Sequence, residues 1–251
     1  MTASGGSAPV DAVNATDTSP DLPDELWETL EDLYDLAEED PPEALSTFQS
    51  FPEGLRELRE FQMALAYIEK RQEDYAAAEK RLRSLLVRAP DDADVHHQLG
   101  DLLDDAGRPE DATRHFLRTL ELDSASPALA TPELLDRIGQ ALEGAVRDLP
   151  AEYQERLAHV PLLVESRPSV DLVESGFDPR AMGLFDGLDH EGDLNQAHTT
   201  APTRIVLYAE NLIDEAGDGP ELEEEVIVTV LHEIGHYFGL DEDDMERLGL
   251  D

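Results

Sequence analysis

The sequence predicts an α+β chain in two parts, an all-α helical-repeat module followed by a small domain that mixes helices with a few strands. Three observations carry this reading. Between Leu22 and Pro127 apolar and small residues return with a 34-residue period. Beyond that region, Val160-Pro161-Leu162-Leu163-Val164 and Ile205-Val206-Leu207-Tyr208 are apolar runs of strand length bounded by proline and polar residues. Near the C-terminus Leu222, Val226, Val230, Leu231, Ile234 and Phe238 recur at helical spacing, on a stretch that also holds His232, Glu233 and His236.

Residues 1–22 are rich in Gly, Ala, Ser, Thr, Pro and Asp, too polar to bury a core, and are expected to be a disordered tail without chemistry. The repeat follows over residues 23–127. Leu65, Ala66, Ala78 and Leu82 return as Leu99, Gly100, Ala112 and Phe116, each 34 positions later, and Ala44 and Phe48 lie 34 positions before Ala78 and Leu82. Small residues at Ala66/Gly100 and Ala78/Ala112 are expected where the two helices of a hairpin approach closely. Trp27, Leu30 and Tyr34 have the spacing of the large residues of a first helix but sit one position early relative to Ala44, which makes the first unit irregular. This pattern resembles tetratricopeptide repeats, and the resemblance implies either a concave surface for a protein partner or a substrate segment, or a module that only packs and spaces. So short an array calls for a capping helix, for which Pro132–Arg147 is the candidate. His96, His97 and His115 lie in the repeats without a carboxylate of matching geometry and read as groove or surface residues.

After a link at Ala128–Thr131 a second domain is expected over residues 132–251. The stretch between its two apolar runs is rich in Gly, Asp and Pro and reads mostly as loop, with Met-Gly-Leu-Phe-Asp-Gly at 182–187 in its middle. His190 and His198 fall in that acidic stretch, at no fixed spacing to the helix, and are not taken as ligands.

The C-terminal stretch VLHEIGHYFGLDED carries the chemistry. His232 and His236 are four apart, a spacing that stacks two imidazoles on one helical face, close enough to bind one cation. Glu233 is rotated by about 100° around the helix axis, where its carboxylate flanks the metal and can take a proton from a water held there. Asp218-Gly219-Pro220-Glu221 reads as the helix start, with acids at the positive end of the dipole. Gly239 supplies a left-handed residue for a sharp stop, and the turn would return Asp241, Glu242 and Asp243 toward the metal.

HEIGHYFGLDEDDMERLG resembles the C-terminal signature of the small bacterial zincin-like metallopeptidases. LPAEYQERLAHVPLLVESRPS, MGLFDG and TRIVLYAENL fall in the order of that family's first helix and strand, central loop and second strand, so the resemblance covers about the last 120 residues. It implies a Zn2+-dependent peptide hydrolase in which His232 and His236 bind the metal, Glu233 is the base, and the position ten after the first His, here Glu242, gives the third ligand. The family tends to carry the shorter Asp at that position, which leaves Asp241 and Asp243 as alternatives. The resemblance further implies that Arg204–Tyr208 edges the cleft and pairs with substrate, with Tyr208 as a candidate contact; the alternative is a plain core strand. Three protein ligands leave a coordination position open, as catalysis requires. The alternative is a repeat-based interaction scaffold whose metal site is structural or vestigial.

Composition narrows the remaining functions. A formal net charge of −41 opposes binding to nucleic acid or anionic membranes. Acid spread along the whole chain, with Lys70 and Lys80 as the only lysines, resembles proteins of salt-accumulating, halophilic organisms. Without cysteine, a metal must be held by His and carboxylate. The first residues show neither a basic n-region nor an apolar h-region, so a cytoplasmic location is expected.

Overall fold

A computed structural model of the chain describes residues 22–187 and 203–240. Among these residues there are twelve helices and three strands. By contact the chain divides into two compact units between Gln98 and Leu99, inside the sixth helix and upstream of Pro127, where the repeat period ends. Residues 1–21 of the tail and the candidates His190, His198, Asp241, Glu242 and Asp243 lie outside the described residues, whereas Leu22, placed in the tail by sequence, is buried in the core of the first unit.

The first unit contains α1 (Asp24–Glu39), α2 (Pro41–Ser50), α3 (Glu53–Arg56), α4 (Arg59–Arg71), α5 (Tyr75–Arg88) and the start of α6 (Ala93–Asp105). α1 packs on α2 and α4 on α5, as the hairpin pattern predicts. Leu30, Leu33, Ala37, Ala44, Phe48, Phe61, Ala64 and Ile68 form one buried cluster. Trp27, expected among the large packing residues, is 47% exposed. Helix starts follow local chemistry: the carboxylates of Asp40, Asp74 and Asp92 accept from the backbone N–H of Glu43, Ala77 and Val95. The Arg59 guanidinium forks onto Asp92 through two bonds of 2.5 Å and reaches Asp94 at 2.7 Å, which ties the start of α4 to the start of α6. His96 is buried, contrary to a surface reading, with Nε2 3.0 Å from the Pro90 carbonyl oxygen.

The second unit continues through α7 (Pro109–Ala125), α8 (Pro132–Asp148), α9 (Ala151–Leu157), β1 (Leu162–Glu165), α10 (Val170–Glu174), β2 (Gly183–Asp186), β3 (Arg204–Tyr208), α11 (Ala209–Ala216) and α12 (Glu221–Tyr237). Gly100 of α6 shows why the period tolerates a glycine within a helix. A Cβ there would stand 2.5 Å from Cδ1 and Cε1 of the Phe116 ring on α7. In the preceding repeat the corresponding pair is Ala66 and Leu82, a methyl against a smaller side chain. Gly100→Ala would stabilise an unhindered helix by about 1 kcal/mol. Here it is expected to cost about 1–3 kcal/mol by overpacking. Adding Phe116→Leu should recover most of that loss, and thermal melts of the two variants check it. A rise in Tm for Gly100→Ala alone would mean that the helices do not approach as described.

The sheet order is β1-β3-β2, with β1 parallel and β2 antiparallel to β3. Two expectations are corrected here. MGLFDG, read as the middle of a loop, forms the edge strand β2. Arg204–Tyr208, expected at the edge, is the central strand and pairs on both sides. Ile205 and Leu207 enter a core with Leu222, Val226, Val230 and Ile234 of α12 and Leu134, Ile138 and Leu142 of α8. α8, anticipated as a cap for the repeats, therefore has its apolar stripe in the same core as the sheet and α12, because that stripe matches the i, i+4, i+8 face α12 offers. Arg137 of α8 fixes the start of α12: Nε and Nη2 each donate to the Glu223 carboxylate at 2.7 Å, and Nη1 donates to Asp218 O at 2.7 Å. This hydrogen bonding holds the Glu223 carboxyl below the usual carboxylate range. None of the described helices is long and apolar enough to cross a membrane.

Candidate active site

α12 places the histidines as its periodicity requires. Leu222, Val226, Val230 and Ile234 are drawn into the core, and the adjoining face carries Glu225, Thr229, His232, Glu233 and His236 along β2. The two Nε2 atoms of His232 and His236 converge to 3.0 Å, with the rings edge-on at a centroid distance of 4.7 Å. Two nitrogens bound at about 2.0–2.1 Å on a tetrahedral zinc stand roughly 3.3 Å apart, so the pair fits one ion with only a small ring adjustment. Among the described residues no group of three or more His, Asp or Glu side chains is arranged to hold a metal.

The helix stops as the sequence predicts. Gly239 adopts φ 78°, its N–H donates to His236 O at 3.0 Å, and Leu240 N–H reaches back to Gly235 O at 3.0 Å. This left-handed stop satisfies the last carbonyls and turns the chain directly after the second histidine. Behind it Tyr237 packs its ring on Phe185 of β2 at 5.9 Å, which holds the strand against the helix.

Glu233 is 8% exposed and lies against Gly183, the first residue of β2. A Cβ at Gly183 would stand 2.7 Å from Glu233 Oε1, 2.8 Å from its Cγ and 2.9 Å from Thr229 Cγ2. Only a glycine lets the strand run this close to the carboxylate. The segment leading into β2 is held by Asn211 of α11, whose side-chain amide donates to Pro179 O at 2.9 Å and Ala181 O at 2.7 Å and whose Oδ1 accepts from Arg167 at 2.7 Å. Arg180, on the same segment, forks onto Asp123 of α7 at 2.9 and 3.0 Å.

The pairing pattern fixes which backbone groups of β2 face outward. Tyr208 N–H donates to Met182 O at 2.8 Å, so residues 182 and 208 form a hydrogen-bonded pair. Such pairs alternate along an antiparallel ladder, so the N–H and C=O groups of Gly183 and Phe185 point away from β3. Two cavities flank Gly183. One, of about 240 Å3, is bordered by Met182, Val228, Glu225 and His232, and the other, of about 420 Å3, by Phe177, Leu184, Phe185 and His236; Glu233 borders both.

Tyr208 is 2% exposed at the end of the central strand, and its ring lies 6.2 Å from that of Phe177. Burial, reinforced by Glu165, pushes its phenol up to about 12, which keeps it protonated at ordinary pH. The structure thus brings His232, Glu233 and His236 together and places Tyr208 in the sheet interior. Gly183, Thr229 and Glu225 were missed by sequence reasoning. The one signal for them was the glycine that opens Gly183-Leu184-Phe185, a segment too short and too poor in β-branched residues to read as a strand.

In this part of the chain a small mixed sheet sets its edge strand along a helix that carries two convergent imidazoles and an intervening glutamate. Accordingly, residues 157–250 match the family model of the zincin-like metallopeptidases. Residues 59–102 match that of the tetratricopeptide repeat. Both resemblances read from the sequence are borne out by these matches. Comparison with curated proteins gave no match.

Proposed function

We propose that this protein is a zinc-dependent peptide hydrolase in which His232 and His236 hold the metal and Glu233 is the general base. The observation that carries the reading is the convergence of the two Nε2 atoms at 3.0 Å beside a glutamate enclosed between α12 and the edge strand. Zinc bound there would supply Lewis acidity, lowering the pKa of water toward neutrality and polarising a carbonyl group. The work of the chain's own residues follows from their placement. An extended peptide pairs with the outward N–H and C=O groups of Gly183 and Phe185, which sets its carbonyl groups in register with the catalytic face of α12. Glu233 accepts the proton of the attacking water and delivers it to the departing amine. Its low exposure keeps bulk water from competing for that proton. The tetratricopeptide repeats take the protein-binding part in this reading.

The third ligand is assigned to Glu242 because the zincin-like resemblance implies the position ten residues after His232, with Asp241 and Asp243 as the alternatives. The test is metal analysis of the full chain purified in molar KCl, with zinc affinity measured for Glu242→Gln, Asp241→Asn and Asp243→Asn, and a peptide-library digest by the wild type. Glu242→Gln alone should lose zinc affinity. Loss in Asp241→Asn or Asp243→Asn with wild-type affinity in Glu242→Gln would move the ligand to that aspartate. Stoichiometric zinc with no peptide cut would replace the hydrolase by an interaction scaffold with a structural metal.

A further inference from the structure

Resting on the peptidase reading of the site, we propose that the smaller cavity beside Glu233 is a side-chain pocket for lysine or arginine next to the cleaved bond, with Glu225 as the counter-charge. The pocket lies between the segment Ala181–Gly183 and the α12 face that carries Glu225, Val228 and Thr229, and one of its ends is bordered by His232 and Glu233. A side chain entering it therefore belongs to a residue at the reacting bond. The carboxylates in its described lining are those of Glu225 and Glu233, and the described lining includes no Lys or Arg. Since Glu233 is assigned to the proton transfer, Glu225 is the group left to recognise charge.

Reach sets the length of the occupant. Gly183 stands level with the stretch between Thr229 and Glu233, since a Cβ there would touch both. Glu225 lies one turn before Thr229 and two before Glu233, so it is about 6–12 Å along the helix axis from that stretch, at 1.5 Å per residue. A lysine or arginine side chain, met by the side chain of Glu225 itself, bridges the nearer part of that distance with an apolar stem and a charged head. Met182, Val228 and Ala181 offer apolar surface to the stem. The Thr229 hydroxyl donates to Glu225 Oε1 at 3.3 Å, which steadies the carboxylate along the same helix face. An aliphatic residue of equal length would partly desolvate Glu225 without a partner, and an acidic one would be repelled. The cavity across Gly183 differs in kind, with Phe177, Leu184 and Phe185 in its wall. The expected cleavage site therefore has a basic residue on one side of the bond and an unrestricted or apolar residue on the other.

The test uses the full-length zinc-loaded chain, at the lowest KCl concentration that keeps it folded, on peptides that differ at one position flanking the cut. Lysine or arginine in that position should raise kcat/KM about threefold to fivefold over glutamine or methionine, the scale of a half-exposed ion pair. Glu225→Gln should remove the preference, and Glu225→Lys should turn it toward glutamate, with zinc affinity and Tm reporting on folding. Binding is measured in parallel on the Glu233→Gln protein, with fluorescent peptides carrying lysine or glutamine. Cleavage without a basic preference, or a preference that survives Glu225→Gln, overturns the pocket. Tighter binding of the lysine peptide that depends on Glu225, with no cleavage by the wild type, upholds the pocket while the peptidase reading falls. Neither cleavage nor selective binding overturns both.

Discussion

Glu233→Gln is expected to leave zinc bound and to lower kcat for peptide hydrolysis by about 10²–10⁴-fold, the usual contribution of a positioned general base. The substitution keeps the shape of the side chain, so the amide occupies the same space against Gly183 and Thr229 and leaves both histidines in place. What is lost is the capacity to accept a proton, since an amide oxygen is far less basic than a carboxylate. Stability should change little, because the amide keeps the shape and packing of the carboxylate. The measurement is a pair of progress curves in matched salt, with metal content determined on the same samples. A Glu233→Gln protein that binds zinc and cleaves as fast as wild type would remove Glu233 from the mechanism.

Gly183→Ala is the second substitution with a large expected effect, although it adds a single methyl group. The new carbon would lie within 3.0 Å of Glu233 Oε1, Glu233 Cγ and Thr229 Cγ2 together, so rotating the carboxylate end alone cannot relieve it. The strand must lift from α12 or Glu233 must change rotamer, and either shift moves the base by about an ångström. Displacement on that scale lowers kcat/KM by about 10²-fold. Overpacking should also cost about 1–3 kcal/mol in an equilibrium melt. Thr229→Ser, which removes the Cγ2 contact and keeps the hydroxyl on Glu225, should return part of the stability to the double variant while activity stays low. Full activity in Gly183→Ala would show that the carboxylate works from a different position.

The helix-borne part of this site was legible because its geometry is local. His232 and His236 meet through a four-residue spacing that holds on any α-helix, and their Nε2 atoms do converge. The left-handed conformation at Gly239 was legible for the same reason, since a stop after Phe238 requires a residue that tolerates positive φ. The repeats were legible through a period, and the pairing of Gly100 with Phe116 shows the packing reason for one of its small positions.

The sheet was harder to read. Arg204–Tyr208 has the strongest apolar pattern of the three strands, and that pattern reports burial on both faces, which suits a central strand better than an edge. Its assignment to the edge came from resemblance and was corrected by the strand order. β2, with four half-buried residues and a glycine at its start, carries little strand signal because one side of it faces the cleft.

The sequence by itself determined the residue chemistry: two imidazoles and a glutamate on one helix, a glycine stop, a 34-residue helical period and a strongly acidic chain without cysteine. Only the tertiary structure decided which strand borders Glu233, that the stripe of α8 enters the core of the second unit, and that Gly183 and Glu225 border the cavity beside His232. The division has a physical cause. Spacing along one helix is set by its own hydrogen bonds. The order of strands and the partner of an amphipathic helix are settled by which apolar faces fit together, and no local run of residues encodes that choice.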